Sequence, residues 1–120
     1  MYNDQFETRL ARVRHRFATT LESKIKDAVV SIDRMTRGGG EVTKHISDSY
    51  RDLHGICGIG PTVGFSATGE AARTAEGFLM QAHHEKRGLS EREVICLKKA
   101  LESLRVAAAS ELRLMYQRGG

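Results

Sequence analysis

Residues 89–115 read LSEREVICLKKALESLRVAAASELRLM and carry the clearest structural pattern in the chain. Ser90 and Glu93 have the spacing of a helix-capping box, and Leu89 stands where a hydrophobic staple begins. The apolar residues that follow recur at steps of three and four, as on one face of an α-helix: Val94, Leu97, Leu101, Leu104, Ala108, Leu112 and Met115. The stretch therefore predicts one long helix with a single apolar face.

The segment from Asp4 to Thr36 shows the same periodicity. Its apolar face consists of Phe6, Leu10, Val13, Phe17, Leu21, Ile25, Ala28, Ile32 and Met35. Within this segment Thr19 and Glu22 repeat the capping-box spacing. We therefore expect a bend near Thr19–Thr20 and two helices in place of one.

Two shorter helical segments lie between the glycine clusters. The first starts near Glu41 and has Val42, Ile46, Ser49, Leu53 and Ile56 on its apolar face. The second follows Gly64-Phe65, with Ser66 as the expected N-cap, and its inner face consists of Ala71, Ala75, Phe78 and Ala82.

No stretch alternates apolar and polar residues with the period of two that a half-buried strand shows. A chain of 120 residues has the size of one domain. Since 40% of these residues are apolar, they are sufficient for one core. We predict an all-α fold in which residues 1–120 form a single domain. Its architecture is an up-down antiparallel four-helix bundle with an additional N-terminal helix.

The composition argues against several classes of protein. The net charge of +4 is spread over interspersed charges of both signs, which does not favour a nucleic-acid partner. No apolar run approaches the ~18 residues of a membrane span, and the N-terminus lacks the order of a signal peptide. Cys57 and Cys96 do not have the spacing of a disulfide framework or a metal site. We therefore expect a cytoplasmic protein without a membrane, nucleic-acid or metal partner.

Residues 53–65, LHGICGIGPTVGF, are the candidate functional segment. His54 follows a core position, so it lies about 100° around the helix from the core-facing side. Gly58 stands one turn later, and a glycine inside a helix costs roughly 1 kcal/mol relative to alanine. That cost suggests that another molecule approaches the imidazole closely.

These residues resemble the signature of histidine phosphotransfer (HPt) domains, including the N-terminal phosphotransfer domain of chemotaxis kinases. The family has a His, an apolar residue two positions later, a Gly four later, a Gly-Phe pair that opens the next helix and a Glu twenty-two later. His54, Ile56, Gly58, Gly64-Phe65 and Glu76 stand at those offsets.

The resemblance implies a stand-alone phosphorelay intermediate. Nε2 of His54 would exchange a phosphoryl group with receiver-domain aspartates, since neutral imidazole is nucleophilic near pH 7. Glu76 would bind Nδ1, as the aspartate does in a catalytic triad. The expected partners are response-regulator receiver domains and a hybrid histidine kinase. The chain would need no cofactor, because Mg²⁺ comes with the receiver domain, and it would have no ATP-dependent kinase activity of its own.

Two departures from the family pattern affect the expected transfer rate and partner choice. The family has a Lys three residues after the His, where this chain has Cys57, so we expect Arg73 or Arg51 to supply the positive charge. Gly60-Pro61 should disturb the helix after His54. The expected docking residues around the site are Gly58, Cys57, Ile59, Val63, Ala67 and Thr68.

Other interpretations remain open. One alternative is a degenerate docking module that binds receiver domains without being phosphorylated. A third interpretation is a helical regulator that forms a homodimer through its last helix, whereas a phosphorelay intermediate is expected to be a monomer. His83-His84 are expected in a solvated C-terminal turn, where cations are favoured, because adjacent side chains point in different directions and suit a metal poorly.

Overall fold

The computed structural model describes residues 2–36 and 40–118, which are helical almost throughout. The four α-helices are α1 (Tyr2–Ser31), α2 (Gly40–Ile59), α3 (Ser66–Glu85) and α4 (Glu91–Gln117). Two 3₁₀ turns, Ile32–Met35 and Gly60–Val63, follow α1 and α2. No β-strand occurs in the described ranges, so the predicted all-α class is confirmed. None of the helices described has the length and apolar content needed to cross a membrane.

The helices pack in a ring, with α2 against α1 and α3, and α4 against α3 and α1. The four helices and the first 3₁₀ turn all contribute large side chains that are almost fully buried: Leu21, Met35, Ile46, Leu53, Ile56, Leu79, Leu97, Leu101 and Leu104. Burying each of these side chains stabilises the fold by about 1.5–3 kcal/mol before chain entropy is subtracted. The shared core fixes the faces that α2 and α3 present to each other.

The prediction of an additional N-terminal helix is wrong, because α1 continues from Tyr2 to Ser31. The hydroxyls of Thr19 and Thr20 both donate to the carbonyl of Arg16, at 3.0 and 3.2 Å. A Thr inside a helix bonds to the preceding turn in this way and does not start a new helix. The core begins at Phe17, while Phe6, placed on the same apolar face by the sequence, is 65% exposed.

The predicted capping box of α4 is confirmed. The Ser90 hydroxyl accepts the Glu93 N–H at 3.2 Å, and the Glu93 carboxylate accepts the Ser90 N–H at 2.8 Å. Leu89 is buried next to the cap, and its N–H donates to the Met35 carbonyl at 2.8 Å. The hydrogen bond from Leu89 therefore connects the start of α4 to the 3₁₀ turn that follows α1.

The predicted cap of α3 is wrong, because Phe65 is the N-cap residue and Ser66 is the first residue of the helix. The carboxylate of Glu111, on α4, accepts the N–H groups of Ala67 and Thr68 at 3.3 and 2.7 Å and the Thr68 hydroxyl at 2.6 Å. The inner face of α3 is also rotated slightly from the expected one: Ala72 and Leu79 are buried, whereas Ala71 and Phe78 are half-buried.

The predicted disturbance at Gly60-Pro61 is confirmed, since α2 ends at Ile59 and a 3₁₀ turn follows. A Cβ added to Gly60 would lie 2.9 Å from the Phe65 carbonyl oxygen, so only glycine fits where the chain folds back on itself. Gly64 ends the turn with φ of +91°, a left-handed conformation that glycine adopts without strain. This tight connection sets α3 directly beside α2.

Candidate functional site

The side chain of His54 lies on the outer surface of α2, above the buried Leu53 and Ile56. Its Nδ1 is 3.2 Å from each carboxylate oxygen of Glu76 on α3. The His54 side chain is 69% exposed, whereas that of Glu76 is only 10% exposed. The structure therefore places an accessible imidazole against a largely buried carboxylate.

This contact defines the chemistry of the imidazole. An ionised carboxylate can only accept a hydrogen bond, so Nδ1 has to be the donor. In the neutral ring the lone pair is then on Nε2, which makes no hydrogen bond within the described residues. The arrangement leaves Nε2 as an exposed nucleophile and places a negative charge beside the other ring nitrogen.

Arg73 lies one helical turn before Glu76 and reaches across to α2. Its Nε donates to Sγ of Cys57 at 3.4 Å, and this hydrogen bond raises the pKa of the Arg73 guanidinium. Cys57 is in the turn that follows His54, so the contact holds a permanent cation on the α3 side of the site. Cys57 itself is half-buried.

Arg51, the other candidate cation, has a different environment. Its side chain is 76% exposed and lies 3.7 Å from the carboxylate of Asp48. It lines a groove between α1 and α2 together with Asp27 and Asp52. Of the two arginines, only Arg73 contacts a residue on the side of α2 that faces Glu76.

Of the six expected docking residues, Cys57 is half-buried, and the other five are either exposed or buried. Gly58, Ile59 and Ala67 are exposed. Val63 and Thr68 are buried, so the prediction that they line a docking surface is wrong. The side chain of Val63 packs in the core, and the hydroxyl of Thr68 is bound to Glu111.

Glycines next to His54 have no packing role. A Cβ added to Gly55 or Gly58 would meet nothing within 4 Å. This differs from Gly69 on α3, where an added Cβ would lie 2.8 Å from the Pro61 ring. Gly55 and Gly58 therefore leave open space on the surface around the imidazole.

Sequence reasoning missed an aromatic contact behind the site. The Tyr50 ring is nearly parallel to the rings of both His54 and His83, with centroids 6.1 and 4.5 Å away. His83 was expected in a solvated turn, but it is half-buried against α2. The sequence contained one indication of this aromatic contact, which is spacing: Tyr50 lies one turn before His54, and His83 lies two turns after Glu76.

Across residues 2–36 and 40–118, no three His, Cys, Asp or Glu side chains converge in the way metal ligands would. The chain matches no family model, no curated protein and no solved structure. The case for a function therefore depends on the geometry around His54.

Proposed function

We propose that the protein is a cytoplasmic phosphorelay intermediate that carries a phosphoryl group on Nε2 of His54. The observation that carries the proposal is the contact between the exposed imidazole and the largely buried carboxylate of Glu76. Exposure gives a partner access to Nε2, and the carboxylate holds the ring in the tautomer that leaves Nε2 unprotonated.

The transfer step uses the lone pair of Nε2. This nitrogen attacks the phosphorus of a receiver-domain aspartyl phosphate, the N–P bond forms, and the P–O bond to the aspartate breaks with its electron pair leaving on the carboxylate. The phosphorylated ring keeps its proton on Nδ1 and carries a positive charge, which Glu76 stabilises. Transfer to a second receiver reverses the same bonds, so no proton has to be gained or lost.

Two further features support this proposal. The phosphoryl group brings a charge of about −2, and Arg73 provides a cation beside Cys57 to offset it. The open surface at Gly58 admits the partner that carries the aspartate. Any Mg²⁺ that the reaction requires would belong to the receiver domain.

A second candidate is a module that binds receiver domains without accepting phosphate. The observation that favours it is Cys57 in the position where the resemblance calls for a Lys. Such a module would bind a receiver domain in either state, and a phosphorylated receiver would keep its phosphate.

Label transfer distinguishes the two functions. The protein is incubated with a panel of receiver domains carrying radiolabelled phosphate, next to the His54→Gln variant and a control, His84→Gln, that changes another exposed histidine. The relay predicts acid-labile label on wild type and His84→Gln and none on His54→Gln. Binding to receivers without label transfer supports the docking module. Label on His54→Gln would rule out His54 as the acceptor.

A further inference from the structure

We infer that Tyr50 is a positioning residue for His54, and that His83 holds Tyr50 in place. The inference deepens the proposed function and rests on it, because it concerns how Nε2 is presented to a partner. Tyr50 is the common neighbour of the two imidazoles, and the planes of the rings differ from its own by only 11° for His54 and 14° for His83.

The contact with Glu76 leaves the His54 ring only partly constrained. The two distances of 3.2 Å are at the upper end of the range for N–H···O hydrogen bonds. The imidazole is mostly exposed, so little else surrounds it. A partial rotation about the Cβ–Cγ bond would turn the ring out of its present plane and carry Nδ1 away from the carboxylate.

Tyr50 supplies a second constraint from the same helix. It stands four residues before His54, at the spacing where side chains on a helix meet. The Tyr50 ring lies nearly parallel to the imidazole, with centroids 6.1 Å apart, and this offset aromatic contact favours the plane that the two rings share. Tyr50 therefore favours one plane of the His54 ring. Within that plane Glu76 selects the orientation in which Nδ1 faces the carboxylate, because Nδ1–H donates a hydrogen bond and Cδ2–H does not.

His83 fixes the tyrosine from the neighbouring helix. Its ring stacks on Tyr50 with centroids 4.5 Å apart, the closer of the two contacts. The buried Nδ1 of His83 has no hydrogen-bond partner among the described residues, so hydrogen bonding at that atom does not account for the position of the ring. Two residues of α3 therefore constrain His54: Glu76 contacts its imidazole directly, and His83 contacts Tyr50, which lies next to it.

The test compares Tyr50→Ala, Tyr50→Phe and a matched control, Tyr116→Ala, which removes an exposed tyrosine on α4. Two readouts need no partner protein: the ¹H–¹⁵N spectrum of the His54 ring, which reports its tautomer, and the rate of phosphorylation by phosphoramidate. We expect Tyr50→Ala to slow phosphorylation about fivefold, the size expected for one aromatic pair, and to lower the Nδ1–H fraction. Tyr50→Phe and Tyr116→Ala should match wild type.

A second variant keeps the test decisive if Tyr50→Ala unfolds. His83→Leu replaces the stacked imidazole with an aliphatic side chain of similar size next to Tyr50. It should change the tautomer and the rate in the same direction as Tyr50→Ala, by a smaller factor. A wild-type tautomer and rate in His83→Leu, and in Tyr50→Ala if that variant folds, would overturn the inference. If wild type takes phosphate neither from phosphoramidate nor from receivers, the proposed function fails, while the spectrum still reports whether Tyr50 orients the ring.

Discussion

Among the residues that the structure describes, the imidazole of His54 is the hydrogen-bond partner of the Glu76 carboxylate. Replacing Glu76 by Gln keeps the shape of the side chain and removes its charge. Because a hydrogen bond to a charged group contributes about 1.5–3 kcal/mol, we expect the rate of phosphoryl acceptance to fall about 10-fold or more. The measurement is the initial rate of label uptake from a phosphorylated receiver.

The control for this prediction is Glu70→Gln, which removes an exposed carboxylate from the same helix. Equal rates in Glu76→Gln and Glu70→Gln would show that the buried carboxylate does not act on the imidazole.

Arg73 is the cation that the structure places on the Glu76 side of α2, through its contact with Cys57. We expect Arg73→Ala to shorten the half-life of phosphohistidine or to slow transfer, since the phosphoryl charge would lose a nearby cation. Adding Cys57→Lys to this variant should recover part of the lost half-life or transfer rate, because a Lys at that position returns a positive charge to the turn after His54.

Arg51→Ala is the matched control, because that side chain lies beside Asp48 in a different groove. The measurement is the half-life of the phosphorylated protein in all four forms. A loss in Arg51→Ala that equals the loss in Arg73→Ala would contradict the assignment of Arg73.

At the level of the helices, Gly58 in α2 and Gly60 in the 3₁₀ turn that follows have opposite roles. Gly58 has open space where a Cβ would be, so Gly58→Leu should raise the free energy of unfolding by up to about 1 kcal/mol while it blocks docking of a partner. In contrast, Gly60→Ala should lower stability by about 1–3 kcal/mol, since its Cβ would lie 2.9 Å from a backbone carbonyl. Urea titrations and label transfer measure the two effects. Full transfer by a stabilised Gly58→Leu would show that the clearance is not needed.

Local sequence patterns predicted some element boundaries and not others, for a physical reason. The cap of α4 is confirmed because Ser90 and Glu93 stabilise each other within one turn. The cap of α3 comes from Glu111, which is separated from Thr68 by 43 residues, and no local pattern contains that contact. Thr19 has the correct spacing for a cap, but a hydroxyl can also bond to the carbonyl of the preceding turn, as it does here.

At the site too, local sequence patterns could not predict contacts between residues that are distant in sequence. The resemblance to phosphotransfer domains implied a contact between His54 and Glu76, and the structure contains that contact at 3.2 Å. Helical periodicity alone did not separate exposed from buried residues near the end of α2, since the 3₁₀ turn buries Val63 and a distant carboxylate binds Thr68. The stacking of Tyr50 on His83 depends on how α2 and α3 are aligned, which only the assembled helices define.

For the whole molecule, the connection between α3 and α4 predicts a dependence of stability on pH. Hydrogen bonds from Arg87 lower the pKa of Glu93 from 4.5 to about 2. A carboxyl group whose pKa is lower in the folded state stabilises the fold above the unfolded value, near 4.5, and this contribution is lost as the pH falls toward 2. After allowance for solvent screening, we expect wild type to lose about 1 kcal/mol more than Glu93→Gln between pH 5 and pH 2.

Urea unfolding at a series of pH values measures this difference. Glu91→Gln is the control, because it removes an exposed carboxylate from the same first turn of α4. Parallel pH profiles for wild type and Glu93→Gln would contradict the role assigned to the Arg87–Glu93 pair.

The location of the phosphoryl group tests the central claim most directly. The ¹⁵N-labelled protein is phosphorylated by a receiver domain, and the modified atom is identified by ¹H, ¹⁵N and ³¹P spectroscopy. The proposal predicts one acid-labile phosphoryl group on Nε2 of His54, with the proton retained on Nδ1 beside Glu76. A phosphoryl group on Nδ1 or on any other residue, or no phosphoryl group from any receiver in the panel, would contradict it.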